Sequence, residues 1–189
     1  MGETPPKDAV AGTMAGTMKV IGLAGWSGSG KTTLMVQLIP ALVRRGLRVS
    51  TMKHAHHAFD VDKPGKDSHQ HRAAGATEVM IGSGRRWALM HELRDEAEPD
   101  SLALMRHMTP VDLLIIEGWK QEGHEKIEIH RPAHGKPLIQ PDDPRVVAVA
   151  SDEALPGLAV PRLDLNDVEA IADFIVAHCG LAAKVRAAE

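Results

Sequence analysis

Tyrosine is absent from this chain of 189 residues, and phenylalanine occurs only twice. Platforms that stack single-stranded nucleic acid need several aromatic faces, so that class of partner is not expected. Positive charge gives no reason to expect it either: 22 Lys and Arg against 25 Asp and Glu leave a formal charge of −3. A single cysteine, Cys179, excludes an intrachain disulfide framework and suits a reducing compartment. No run approaches the roughly 18 apolar residues of a membrane helix, and the N-terminus lacks a signal-type apolar core. The chain therefore reads as cytoplasmic, with no membrane partner. Hydrophobic content of 43% and charged content of 25% are ordinary for a globular protein. The length suits one domain, able to bury about 70% of its unfolded surface.

Against that plain background one stretch stands out, Gly25-Trp26-Ser27-Gly28-Ser29-Gly30-Lys31-Thr32-Thr33. It matches G-x-x-x-x-G-K-[ST], the loop that wraps the phosphates of a nucleotide. Gly25, Gly28 and Gly30 let successive N–H groups turn inward on one anion, because they adopt backbone angles closed to residues with a Cβ. Lys31 is placed to reach the β- and γ-phosphates, and the Thr32 hydroxyl to ligate Mg²⁺. The context fits. Lys19 to Ala24 reads as a buried strand, and Thr32 to Arg45 as a helix with Leu34, Leu38, Leu42 and Val43 on one face. Pro40 should kink that helix and Gly46 end it. The motif implies a nucleoside triphosphate as ligand.

Residues 1–17 carry Gly, Pro, Ala and Thr without periodicity and read as a flexible leader, so the nucleotide-binding domain is expected over 18–189. Arg48 to Met52 is the second strand, and strand, helix, strand over so short a span predicts a right-handed βαβ unit. The polar stretch from Lys53 to Ser68 then leaves the carboxyl end of that strand, where open α/β sheets place their ligands. His69 to Ala74 reads as the start of a helix. Thr77–Ile81 and Arg86–Met90, joined through Gly82-Ser83-Gly84-Arg85, form a hairpin signal at about 77–91. Such an antiparallel insertion is able to meet a second subunit by edge pairing. Pro99 to Met108 reads as a helix and Val111 to Gly118 as the clearest buried strand. Lys126 to His130 alternates like a strand with one wet face, a loop rich in Pro and Asp runs from Arg131 to Arg145, and Val146 to Ala150 is a further apolar strand. Asn166-Asp167-Val168-Glu169 opens the last helix as a cap, with Ile171, Phe174 and Ile175 facing inward. The fold class is α/β: a P-loop NTPase-type three-layer sandwich with a mainly parallel sheet and an inserted antiparallel hairpin.

A triphosphate site needs an acid at the end of a buried strand to hold Mg²⁺. Asp112 and Glu117 flank the same strand about 16 Å apart, at ~3.3 Å per residue, and only the carboxyl end is near the phosphate loop. Glu117 is therefore the expected ligand. Asp60, Asp62 and Asp67 are candidates to coordinate Mg²⁺ (Asp60, Asp62) or to orient a water toward the γ-phosphate (Asp62, Asp67), as switch loops do. Arg72 and Lys120 are candidate charge stabilisers. Histidines 54, 56, 57, 69 and 71 raise a zinc or nickel site, but without cysteine nearby the default is polar loop histidines. His178 beside Cys179 reads as helix surface. Asp152, after the strand Val146–Ala150, is placed to accept N–H groups of guanine that adenine does not offer in that pattern, although no N-K-x-D sequence is present.

Taken together, these residues resemble the molybdopterin-guanine dinucleotide biosynthesis protein B family, P-loop GTP-binding adapters. The resemblance runs from about Lys19 to Cys179. It rests on Gly25–Thr33, on Lys53-His54 followed by Asp60-Val61-Asp62 and Gly65-Lys66-Asp67-Ser68, on Arg72 with Ala74-Gly75, and on Glu117-Gly118-Trp119-Lys120. It implies GTP and Mg²⁺ as cofactors, weak hydrolysis and a homodimer. It also implies association with the molybdenum cofactor guanylyltransferase that joins GMP to molybdopterin, and engagement of molybdopterin or of molybdoenzymes. Two alternatives stand beside it: a P-loop kinase of a small molecule, which would need an arginine-bearing lid, and a nickel or zinc metallochaperone GTPase working through the histidine loop.

Overall fold

A computed structural model describes residues 18–55, 59–119 and 122–186. The chain forms two compact units, one made of the residues up to His54 and from Thr109 onward, the other of Ala55–Met108. The expected leader, 1–17, lies outside the described residues.

The first unit is built on a six-stranded sheet whose pairings are all parallel. Its strands are β1 (Lys19–Ala24), β2 (Val49–Lys53), β5 (Leu113–Glu117), β6 (Lys126–His130), β7 (Val146–Ser151) and β8 (Arg162–Asp164), in the order β2-β5-β1-β6-β7-β8. Helix α1 (Lys31–Arg44) returns the chain from β1 to β2, and α4 (Val168–His178) follows β8. The apolar periodicity of the two helices and the alternation in the strands serve one core. Ile21, Leu23, Leu113, Ile115, Ile127 and Ile129 from the sheet are buried with Leu34, Leu38 and Leu42 of α1 and Ile171 and Ile175 of α4. Each such side chain contributes about 1.5–3 kcal/mol relative to exposure. Helix α1 runs through Pro40 without ending there, and Asp167 caps α4 by accepting the Ala170 N–H at 2.9 Å, as its sequence suggests.

The wet face expected for Lys126–His130 is not found. β6 pairs with both β1 and β7 at its edges, and neither of its faces is open: Lys126 is 1% exposed and Glu128 fully buried. Their charges have built-in partners. Lys126 Nζ donates to Glu122 O and to Asp143 Oδ2, each at 3.0 Å, while Glu128 accepts the Ile139 and Gln140 N–H groups at 2.8 and 2.9 Å. Three-residue β8 and the closing helix α5 (Ala182–Arg186) are elements the sequence reading does not contain. Asp112, at the amino end of β5, ties Arg48 N (2.8 Å) to Lys184 Nζ (2.5 Å), a structural role at the end away from the loop.

The second unit holds α2 (Asp67–Ala73), the antiparallel pair β3 (Glu78–Gly82) and β4 (Trp87–His91), and the short α3 (Ser101–Met105) capped by Asp100. The hairpin lies where the two apolar runs place it. Val79 faces Met90 and both are buried, whereas Met80, Trp87 and Leu89 share the opposite face and are exposed. The helix expected from Pro99 to Met108 is reduced to its centre.

Candidate functional site

The loop Gly25–Gly30 leaves the carboxyl end of β1 and enters α1 through three glycines with φ of 147°, 81° and 98° at positions 25, 28 and 30. Gly25 is also a close approach: a Cβ there would lie 2.5 Å from Ile129 O and 2.7 Å from Ser29 Oγ. No side chain caps α1, whose N-terminus presents the positive dipole end that suits an anion. Lys31 Nζ reaches back over the loop, donating to Gly25 O at 2.9 Å and Trp26 O at 2.8 Å. An ammonium held against a glycine-built loop at a helix N-terminus is the kind of donor a polyphosphate requires.

Thr32 and Glu117, chosen from different parts of the sequence, come together. The Thr32 hydroxyl donates to Glu117 Oε1 at 3.3 Å, and Lys53 Nζ stands 3.4 Å from the same oxygen. The parallel register explains the meeting, because β5 pairs with both β1 and β2 and ends beside them. Two hard oxygen ligands side by side are the kind Mg²⁺ takes, so these residues fit the ion. Gly118, at φ 100°, allows the His54 backbone to approach; a Cβ there would lie 2.6 Å from His54 Cβ. Trp119 takes a φ of 43° and its ring lies 4.8 Å from that of His54.

On the other side of the loop stands Arg131, which the sequence reading passes over. It follows β6, donates through Nε to Ser29 O at 3.3 Å, and pairs through Nη1 with Asp152 Oδ2. The Asp152 carboxylate is thus occupied on one oxygen, and its Oδ1 is buried without a hydrogen-bond partner among the described residues. The segment after Arg131 also lies on the loop, with Trp26 Nε1 donating to Pro137 O at 2.7 Å and His134 within 4 Å of where a Cβ on Gly28 would be. A cavity of about 180 Å³ opens between α1 and the β8–α4 turn, lined among others by Gly30, Thr33, Gln37, Arg131, Leu165 and Asn166.

Asp60, Asp62 and Asp67 belong to the second unit. Asp60 accepts the Asp62 N–H at 2.9 Å and pairs with Arg72 Nη2; those bonds, the backbone one first, hold its carboxyl below the usual range. Asp62 accepts from Ser68 Oγ at 2.7 Å, with Arg72 Nε at 3.7 Å, and Arg72 Nη1 donates to Glu92 at 2.9 Å. Arg72 is therefore shared among carboxylates of its own unit. Asp67 opens α2, where its charge complements the helix dipole. Histidines 56 and 57 and Lys120 lie outside the described residues, among which no group of three or more His, Cys, Asp or Glu is arranged to hold a metal ion. His178 bonds Glu125 at 2.8 Å on the surface, and burial pushes the Cys179 thiol up to about 11, which leaves it inert.

Comparison with known proteins converges on one family. The family model for molybdopterin guanine dinucleotide synthesis protein B matches residues 20–152. The molybdopterin-guanine dinucleotide biosynthesis adapter protein of Escherichia coli (strain K12) is 48% identical over 168 residues, covering 86% of this chain and 95% of that protein. The protein of the same name from Haemophilus influenzae is 43% identical, covering 86% and 90%. Among solved structures, molybdopterin-guanine biosynthesis protein B superposes with a TM-score of 0.66 at 28% identity, over 84% of this chain and 99% of that one. These matches do not favour the kinase or the metallochaperone. With a phosphate loop formed in a parallel α/β sheet, the chain belongs to the molybdopterin guanine dinucleotide synthesis protein B family, the adapter proteins of molybdopterin guanine dinucleotide biosynthesis.

Proposed function

We propose that this adapter works by binding GTP with Mg²⁺ in the loop Gly25–Thr33 and hydrolysing it slowly. The observation that carries the reading is the convergence of Lys31, Thr32 and Glu117 at the carboxyl ends of β1 and β5. In it, Trp26, Ser27 and Ser29 complete the phosphate loop, Thr32 and Glu117 hold Mg²⁺, and Asp152 stands at the base end. Bound by Thr32 and Glu117, the ion would supply charge neutralisation for the phosphates. Asp60 and Asp62 are proposed as further metal-side acids, and Asp62 and Asp67 as the acids that serve the γ-phosphate. A low-turnover site suits a helper whose bound state is the signal to its partner. The proposed partner is the molybdenum cofactor guanylyltransferase, with molybdopterin or a molybdoenzyme engaged in the same assembly, in the cytoplasm.

A homodimer is part of this reading. It is supported by the exposed apolar face of the hairpin, where Met80 and Trp87 are 65% and 64% exposed, a cost a lone subunit would bear unrelieved.

The test is calorimetric titration of the purified protein with GTP and with ATP, each with Mg²⁺, beside Lys31→Ala. Tight GTP, weak ATP, slow turnover and loss of binding in Lys31→Ala are expected. Preference for ATP, or rapid turnover that depends on an added small molecule, would overturn the reading.

A further inference from the structure

The cavity beside the loop says which edge of the base is read, an inference that rests on the nucleotide reading above. Gly30 and Thr33 belong both to the phosphate-loop region and to the cavity wall, so a ligand with its phosphates in the loop reaches the cavity directly. At about 180 Å³ the cavity is smaller than the roughly 300–1,000 Å³ that hold whole ligands, and suits the ring system of one. Leu34, Leu165 and Val168 supply apolar wall for a flat ring.

The charged group presented to that space is a guanidinium, not a carboxylate. Arg131 lines the cavity, and Asp152 does not. Asp152 and Ser29 O fix the guanidinium through Nη1 and Nε, while Nη2 has no acceptor among the described residues. Fixed donors read acceptors. Guanine presents two on one edge, O6 and N7, whereas adenine sets an amino donor beside its N7. We propose that Arg131 is the specificity-determining residue of this site, donating to the O6 and N7 edge of guanine, and that Asp152 is a positioning residue that aims it. The base-reading role expected of Asp152 is thereby exercised through the arginine.

Two analogues separate this edge from the opposite one. ITP keeps O6 and N7 but lacks the exocyclic amine, and 7-deaza-GTP lacks N7 alone. Titrated into the wild-type chain with Mg²⁺, GTP should bind about 5- to 150-fold more tightly than ATP, with ITP within about threefold of GTP and 7-deaza-GTP weaker by about fivefold or more. Arg131→Met should bring GTP and ATP within about threefold of each other, because the ratio of the two affinities is what the guanidinium sets. Asp152→Asn should narrow the same GTP-to-ATP ratio, since it loosens the group that aims the guanidinium. ITP binding as weakly as ATP while 7-deaza-GTP matches GTP would overturn the proposal, as would full preference retained in Arg131→Met. The wild-type analogue series decides the matter even if a variant fails to fold. No saturable binding of GTP or ATP by the wild type would instead overturn the nucleotide reading itself, and the inference with it. Binding without base preference would overturn the inference alone.

Discussion

His124 should make the stability of this protein fall as the solution is acidified, over a window set by its burial. Its ring lies against β1 where that strand has no side chain: a Cβ on Gly22 would sit 2.7 Å from the ring. Burial first, then the nearby Lys126 ammonium, push its pKa down to about 4 from an ordinary 6.5, and neither ring nitrogen has a hydrogen-bond partner among the described residues. As pH drops below about 6.5 the unfolded chain takes up a proton that the native chain refuses until about pH 4, so stability is full above that window and is lost through it. Two and a half pH units at ~1.36 kcal/mol each set a ceiling of about 3.4 kcal/mol. Between pH 7 and pH 5, and allowing for partial solvent access, the loss is about 1–2 kcal/mol. Denaturant unfolding of wild type and His124→Gln at both pH values isolates this from the other histidines, since only the difference between the two slopes belongs to His124. Equal losses in both proteins, or an NMR titration placing His124 above pH 6, would refute the reasoning.

Further outcomes follow from the site. Gly25→Ala should destabilise by about 1–3 kcal/mol and remove nucleotide binding, because its φ of 147° and the 2.5 Å approach to Ile129 O leave no room for a Cβ; thermal unfolding and titration with GTP check both. Glu128→Gln turns an amide N–H toward one of two backbone donors that its carboxylate satisfies, at a cost of about 1–3 kcal/mol measured by urea unfolding. Glu117→Gln should weaken Mg²⁺-dependent GTP binding about tenfold while leaving metal-free binding nearly unchanged, read by calorimetry with and without EDTA.

Much of the first unit is written locally. β1, β5 and β7 are central strands, and the apolar runs that build them have no other use than a sheet covered on both faces. The shape of the loop Gly25–Gly30 is legible because it is carried by glycine positions within a few residues, and the meeting of Glu117 with Thr32 because strand geometry alone puts Glu117 at the carboxyl end of β5. β6 hides for the opposite reason. Lys126 and Glu128 look solvated when read by alternation, and what neutralises them is a backbone carbonyl, two backbone N–H groups and Asp143, supplied by chain that folds back from a distance. β8 has only Leu163 as an apolar residue, so its strand character comes from pairing with β7 rather than from its own pattern.

Arg131 was out of reach for a related but more instructive reason: its importance depends on strand order. Nothing in the sequence says that β1 has β6 as its second neighbour, yet that adjacency sets the carboxyl end of β6 beside the phosphate loop. Whatever follows β6 is then delivered onto the loop. Arg131 reaches Ser29, Pro137 accepts from Trp26, and buried Glu128 pins the far end of the same segment through Ile139 and Gln140. The charge in the middle of β6 thus has a purpose at the site, since it anchors the segment that completes one wall of the candidate nucleotide pocket. Loosening Glu128 should consequently be felt at Trp26, which is joined to Glu128 through one hydrogen-bonded segment. A change in Trp26 emission in Glu128→Gln, measured with Trp87 and Trp119 replaced by Phe, would show that coupling; identical emission would show that the segment holds its place on the loop without the buried carboxylate.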